Sequence, residues 1–79
     1  MDEAIRCFDR ILKIDESNHS AYGELGWTKY LKGNYKDAQA DLEKAKSFID
    51  DTNPSMALYE WRIGKILWEI GGKVFTYYV

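Results

Sequence analysis

Apolar residues along the chain recur at intervals of three and four, the spacing that gathers them on one face of an α-helix. In DEAIRCFDRILKI, residues 2–14, they fall at Ala4, Ile5, Phe8, Ile11 and Leu12, with Ile14 a further candidate, and predict a first helix over about 2–15. The polar turn ESNHS breaks it, and Asn18 is placed to accept hydrogen bonds from the free amides of a second helix over about 19–32. Gly33 suits the left-handed terminator of that helix. Asn34 is the predicted cap of a third helix over about 35–50, with Asp37 three residues on in an arrangement like a capping box. Its apolar face carries Ala38, Leu42, Ala45 and Ile49. After DDTN, Asn53 followed by Pro54 predicts a cap and a first helical residue, opening a fourth helix over about 54–70 that stops at Gly71-Gly72.

The four segments are related in pairs. Ala4, Phe8 and Ile11 stand 34 residues before Ala38, Leu42 and Ala45, so the first and third helices share one pattern. LGWTKYLKG (25–33) aligns with IGKILWEIG (63–71) at an offset of 38, matching Gly26 with Gly64, Tyr30 with Trp68 and Gly33 with Gly71. Close approach of a paired helix explains Gly26 and Gly64, and a turn explains Gly33 and Gly71. Gly23 has no counterpart, because Trp61 takes its place. A period of 34 in helix-turn-helix units is the mark of a repeat array. The expected fold is all-α: antiparallel helix-turn-helix repeats forming a segment of an α-solenoid.

Residues Tyr22 to Ala45 resemble the tetratricopeptide repeat (TPR) family: Tyr22 before the Leu25-Gly26 pair, the Gly33-Asn34-Tyr35 turn, then Ala38, Leu42 and Ala45. Three positions depart from the pattern. Glu16 stands where proline is usual, Tyr30 lies one position past the usual aromatic, and Glu60 replaces an aromatic. In that frame residues 2–18 hold the second helix of a partial repeat, 19–52 a complete repeat, 53–72 the first helix of a further repeat, and 73–79 a tail. The shorter stretch MALYEWRIGKILWEIGGK resembles a repeat of the TPR scaffold subunits of superkiller (Ski) RNA-decay complexes.

The resemblance implies that the first helix of each unit lines a concave, peptide-binding face. The matching positions include Gly23, Trp27 and Tyr30 on the second helix and Trp61, Lys65 and Trp68 on the fourth. The candidate partner-binding residues are therefore Trp27, Tyr30, Trp61, Arg62, Lys65 and Trp68, with the two cations available to an acidic partner. The competing reading makes Tyr30 and Trp68 core residues and has Trp27 and Trp61 pack on neighbouring helices. Gly23, Glu24 and Trp27 occupy the positions from which chaperone-binding TPR domains grip a terminal carboxylate, and they supply neither positive charge nor amides for it.

Composition narrows the function. Thirteen acids against eleven bases leave a net charge of −2 with the signs interspersed, no footprint for nucleic acid. No apolar run approaches the roughly 20 residues that span a bilayer, and a start charged from its second residue is unlike a secretory signal. A cytoplasmic protein is expected. The single cysteine, Cys7, is read as a small core residue, and the single histidine, His19, as a solvated turn residue. No metal site, cofactor site or catalytic constellation assembles, and the expected function is non-catalytic protein–protein interaction within a scaffold. Incomplete repeats expose apolar surface, so a homo-oligomer or helix-swapped dimer is expected as well. A purely structural solenoid fragment, without a groove of its own, is the alternative. The tail KVFTYYV is rich in β-branched and aromatic residues with poor helix propensity, and a departure from helix is expected there.

Overall fold

The computed structural model describes residues 2–72, which form four α-helices: α1 (Asp2–Ile14), α2 (His19–Leu31), α3 (Tyr35–Ser47) and α4 (Ser55–Leu67). A π-helical turn, Trp68–Gly72, continues α4. No strand occurs among the described residues, and the fold is all-α with consecutive helices packed on one another. Short connections make sequence neighbours antiparallel. The Cα envelope measures 46 × 32 × 14 Å. Its thin dimension matches two helix layers, an axis separation of ~9 Å plus a Cα cylinder of ~4.6 Å. The tail expectation for residues 73–79 lies outside the described residues.

The helix ends show which turn signals act. Asn18 Oδ1 accepts from the Ala21 amide at 3.0 Å, the cap expected of it. Gly33, at φ 90°, lets the chain reverse: its amide donates to Tyr30 O and that of Asn34 to Lys29 O, both at 2.9 Å. This is the two-bond Schellman closure, and the left-handed residue at its centre favours glycine. It also overturns the expected capping box. The Asn34 amide is already committed to α2, so Asp37 has no donor to reach, and the Asn34 side chain makes no cap bond. Asn53 Oδ1 accepts from Ser55 at 2.8 Å beside Pro54 in helical backbone, so the Asn-Pro start holds with the helix bounded one residue later. α3 ends sooner than expected, because Phe48 and Ile49 donate to Ala45 and Lys46 in tight three-residue turns. Gly71 is no counterpart of Gly33. It lies within the π turn, and Gly33 is the only described glycine with positive φ.

The core gathers on α3 and α4: Ala38, Leu42, Ala45, Tyr59, Ile63 and Ile66, with Tyr22, Tyr30, Tyr35 and Ile49 packed against it. Ala38, Leu42, Ala45 and Ile66 are wholly buried. On α1 no residue is buried. Ala4, Ile5, Phe8 and Leu12 are half-buried, Ile14 and Cys7 exposed. The expectation of a core Cys7 is corrected: it lies on a flank of α1 that no described helix covers.

Gly26 is where α2 and α3 come closest. A Cβ there would stand 2.8 Å from Leu42 Cγ and 2.9 Å from the Ala38 carbonyl oxygen, both under contact distance. Gly64, its sequence counterpart, would place a Cβ in open space, so the close approach expected there is not made among the described residues. Beside the Gly26 contact, Lys29 Nζ lies 2.8 Å from Asp41 Oδ2. The contact is an ion pair rather than an aligned hydrogen bond, since that oxygen is buried without a hydrogen-bond partner. Burial raises the Asp41 carboxyl above the ordinary aspartate range, and the Lys29 ammonium offsets only part of this.

Two predictions follow from this interface. Gly26→Ala is expected to destabilise the fold by ~1–3 kcal/mol through overpacking, whereas Gly64→Ala gains ~0.5–1 kcal/mol of helix propensity. Urea unfolding in dilute solution checks both, and equal shifts in one direction would contradict the assignment. For Asp41 the raised carboxyl means a stability contribution complete below the unfolded pKa and lost as pH rises through the folded one. Wild type should therefore gain stability relative to Asp41→Asn between about pH 7 and the unfolded aspartate value of about 4. A flat difference across that window would rule this out.

Candidate functional site

The face shared by α2 and α4 is set by one buried aromatic. Tyr59 is 3% exposed and lays its ring on the α2 backbone at Gly23, where a Cβ would stand 2.3 Å from its Cε1. Its hydroxyl lies 2.9 Å from His19 Nδ1 and donates to His19 O at 3.3 Å. Both bonds are made when Nδ1 carries the imidazole proton and donates to the phenol oxygen. The two rings meet edge to face at 5.9 Å. His19 is thus corrected from a solvated turn residue to one half of a clamp between helix starts. Gly23, unexplained by the repeat, is the seat of the Tyr59 ring.

The clamp brings the candidate aromatics together. Trp27 stacks on Tyr30, ring centroids 4.8 Å apart at 22°, and meets Trp61 across the helix pair at 5.8 Å. Tyr30 also contacts Tyr35 of α3 at 5.7 Å. Its hydroxyl donates to Glu69 Oε1 over a long 3.4 Å, and desolvation followed by the Glu69 charge raises the phenol above its ordinary range. The expectation that Tyr30 packs with the core holds, since it is partly buried against the core cluster. Trp68 is 58% exposed, which corrects its core reading. Its counterpart Tyr30 is covered by α3, and no described helix takes that place beside Trp68.

The two cations differ. Arg62 Nη1 donates to Gly23 O at 3.0 Å and to Glu24 Oε1 at 3.1 Å, while the guanidinium lies 5.2 Å from the Trp27 ring centre. Its side chain is only 12% exposed. Arg62 therefore bridges α4 to α2 and backs Trp27, in place of the free charge expected for an acidic partner. Lys65 is exposed, with Nζ 6.0 Å from the Trp61 ring centre. Trp61 is itself 57% exposed. The exposed part of this face is thus an indole with an ammonium above it, on an aromatic base of Trp27 and Tyr30. No group of three or more His, Cys, Asp or Glu with metal-binding placement occurs among the described residues.

Residues 19–52 match the family model described as a tetratricopeptide repeat, a span covering α2, α3 and the turn after them. The α2–α3 pair is thus similar to one such repeat, a unit that generally mediates protein–protein interaction and is typically non-catalytic. No curated protein and no solved structure matches the chain. No helix among the described residues is long and apolar enough to cross a membrane.

The residue that sequence reading passed over is Tyr59, and with it the true role of His19. Its signal was present in the conflict between a glycine mid-helix at 23 and the absence of any small partner for it. Tyr59→Phe is expected to keep the helices and cost ~0.5–1.5 kcal/mol, the net worth of the lost hydroxyl bonds. Urea midpoints with circular dichroism check this, and an unchanged midpoint would remove the clamp from the account.

Proposed function

We propose that the chain is a non-catalytic protein–protein interaction module, a scaffold segment of a larger assembly that grips a partner peptide on the α2–α4 face. The observation that carries this is the Trp27–Trp61 pair spanning two helices, with Trp61 more than half exposed beside Lys65. An indole presented on a rigid aromatic base gives large contact area at small entropic cost, the usual character of an interface anchor. The ammonium 6.0 Å from that ring favours a partner carrying a carboxylate next to an apolar side chain. In this reading Trp61 and Lys65 touch the partner, Trp27 and Tyr30 floor the site, Arg62 positions Trp27, and Trp68 extends the surface beyond α4. The repeat boundaries at 19–52 and 53–72 are part of the same reading. So is a cytoplasmic setting, to which the exposed Cys7 thiol is suited. The likeness of residues 56–73 to superkiller scaffold repeats supports an RNA-decay complex as the assembly, with RNA contacted by other subunits.

A structural role without a groove is the second reading, and the uncovered face at Gly64 and Trp68 favours it. Selection from a displayed peptide library separates the two. Enriched peptides should pair acidic with apolar residues, and Trp61→Ala should weaken a selected peptide ~30-fold or more with helicity unchanged, the scale of a hot spot. Lys65→Glu should shift the selection away from acids. Peptides that bind Trp61→Ala as well as wild type would leave only the structural role.

A further inference from the structure

We propose that the α4 face lined by Gly64, Leu67 and Trp68 docks α1 of a second copy of this chain, so that copies join head to tail. The molecule contains the template for this contact. α2 packs on α3 with Gly26 receiving Leu42 and the Ala38 backbone, Lys29 beside Asp41, and Tyr30 against Tyr35. The internal offsets carry Gly26, Lys29 and Tyr30 of α2 onto Gly64, Leu67 and Trp68 of α4. They carry Ala38, Asp41 and Leu42 of α3 onto Ala4, Cys7 and Phe8 of α1.

Three observations support the match. First, the α4 positions equivalent to the α3-facing stripe of α2 are the exposed ones: Gly64 would place a Cβ in open space, Leu67 is 48% exposed and Trp68 58%. Second, the α1 positions equivalent to the wholly buried Ala38, Leu42 and Ala45 are only partly covered, with Ala4 and Phe8 half-buried and Ile11 39% exposed. α3 is wedged between two helices, whereas α1 packs on α2 from one side. Third, the charged pair Lys29–Asp41 is replaced at the equivalent positions by Leu67 and Cys7. Both members have lost their charge, so the α4–α1 contact buries no lone ion where the template buries an ion pair. Phe8 in place of Leu42 supplies bulk above Gly64. The contact joins two different faces, so it does not close on itself and propagates from copy to copy. It shares only Trp68 with the proposed partner surface, since Trp61 at the centre of that surface meets Trp27 on the α2 side of α4.

Sedimentation equilibrium tests it. Wild type should show an average mass that rises with concentration past that of a dimer. Gly64→Arg on α4 and Cys7→Arg on α1 replace residues with open surroundings, so each should stay helical and sediment as a monomer. Leu67→Lys repeats the α4 arm at a second position. An equimolar mixture of Gly64→Arg with Cys7→Arg should restore association but stop at a dimer, because each variant keeps the one face the other lacks. Wild type that remains monomeric at near-millimolar concentration would overturn the proposal, showing the α4 face to be covered by something other than a second copy. So would association of Cys7→Arg alone, which would mean that like faces pair.

Discussion

The rest of the molecule depends on how closely α2 approaches α3 at Gly26. With no side chain at that position, the Ala38 carbonyl and the Leu42 side chain reach the α2 backbone, and Leu42 leaves water completely. A fully buried leucine is worth about 1.5–3 kcal/mol of transfer free energy, a large share of what so small a core supplies. The same approach holds Lys29 against Asp41, and it fixes the exit direction of α3 through the Gly33 reversal. α4 then packs against both α2 and α3, and Ile66 closes the core.

Tyr59 transmits that arrangement to the surface. Its ring on Gly23 and its hydroxyl on His19 set where α4 lies along α2, and this decides which aromatics meet. Trp27 and Trp61 stand opposite each other because Tyr59 is seated one turn earlier. Arg62 completes the link by donating to Gly23 O and Glu24 while lying against Trp27. The aromatic face is thus built on interior contacts, and its exposed members are few. One consequence concerns charge: of the two cations on that face, the one that bridges the helices is screened from solvent, and the one left exposed sits on the outer indole.

A layered molecule of this thickness cannot cover all its apolar surface from within. Leu58, Trp61, Leu67, Trp68 and Ile70 on α4 and the turn after it, and Ile11 and Ile14 on α1, remain substantially exposed. Three of the uncovered α4 positions, Gly64, Leu67 and Trp68, correspond through the repeat to Gly26, Lys29 and Tyr30, which meet α3 on α2. The molecule has two surfaces of different character, an aromatic face between α2 and α4 and the face of α4 around Gly64 beyond it. The first offers rigid rings and a charge; the second offers a glycine and room for a large side chain.

The sequence by itself determined the all-α class, the four helices and the repeat, because amphipathic spacing, Asn18, Gly33 and Asn53-Pro54 act locally and need no knowledge of the neighbours. It also determined the role of Gly26 as a point of close helix approach, with the small Ala38 on the facing helix. Only the tertiary structure decided the fates of side chains that depend on partners far along the chain. Gly23 and Tyr59 meet across 36 positions, His19 is claimed by a phenol 40 positions away, and Arg62 is drawn inward by a carbonyl 39 positions back. Periodicity places a residue on a face, but whether that face is covered depends on which helices stand beside it. That is why Cys7, read as core, is exposed, as is Trp68, for which a core place was the competing reading, while Gly64 matches Gly26 in sequence and not in surroundings.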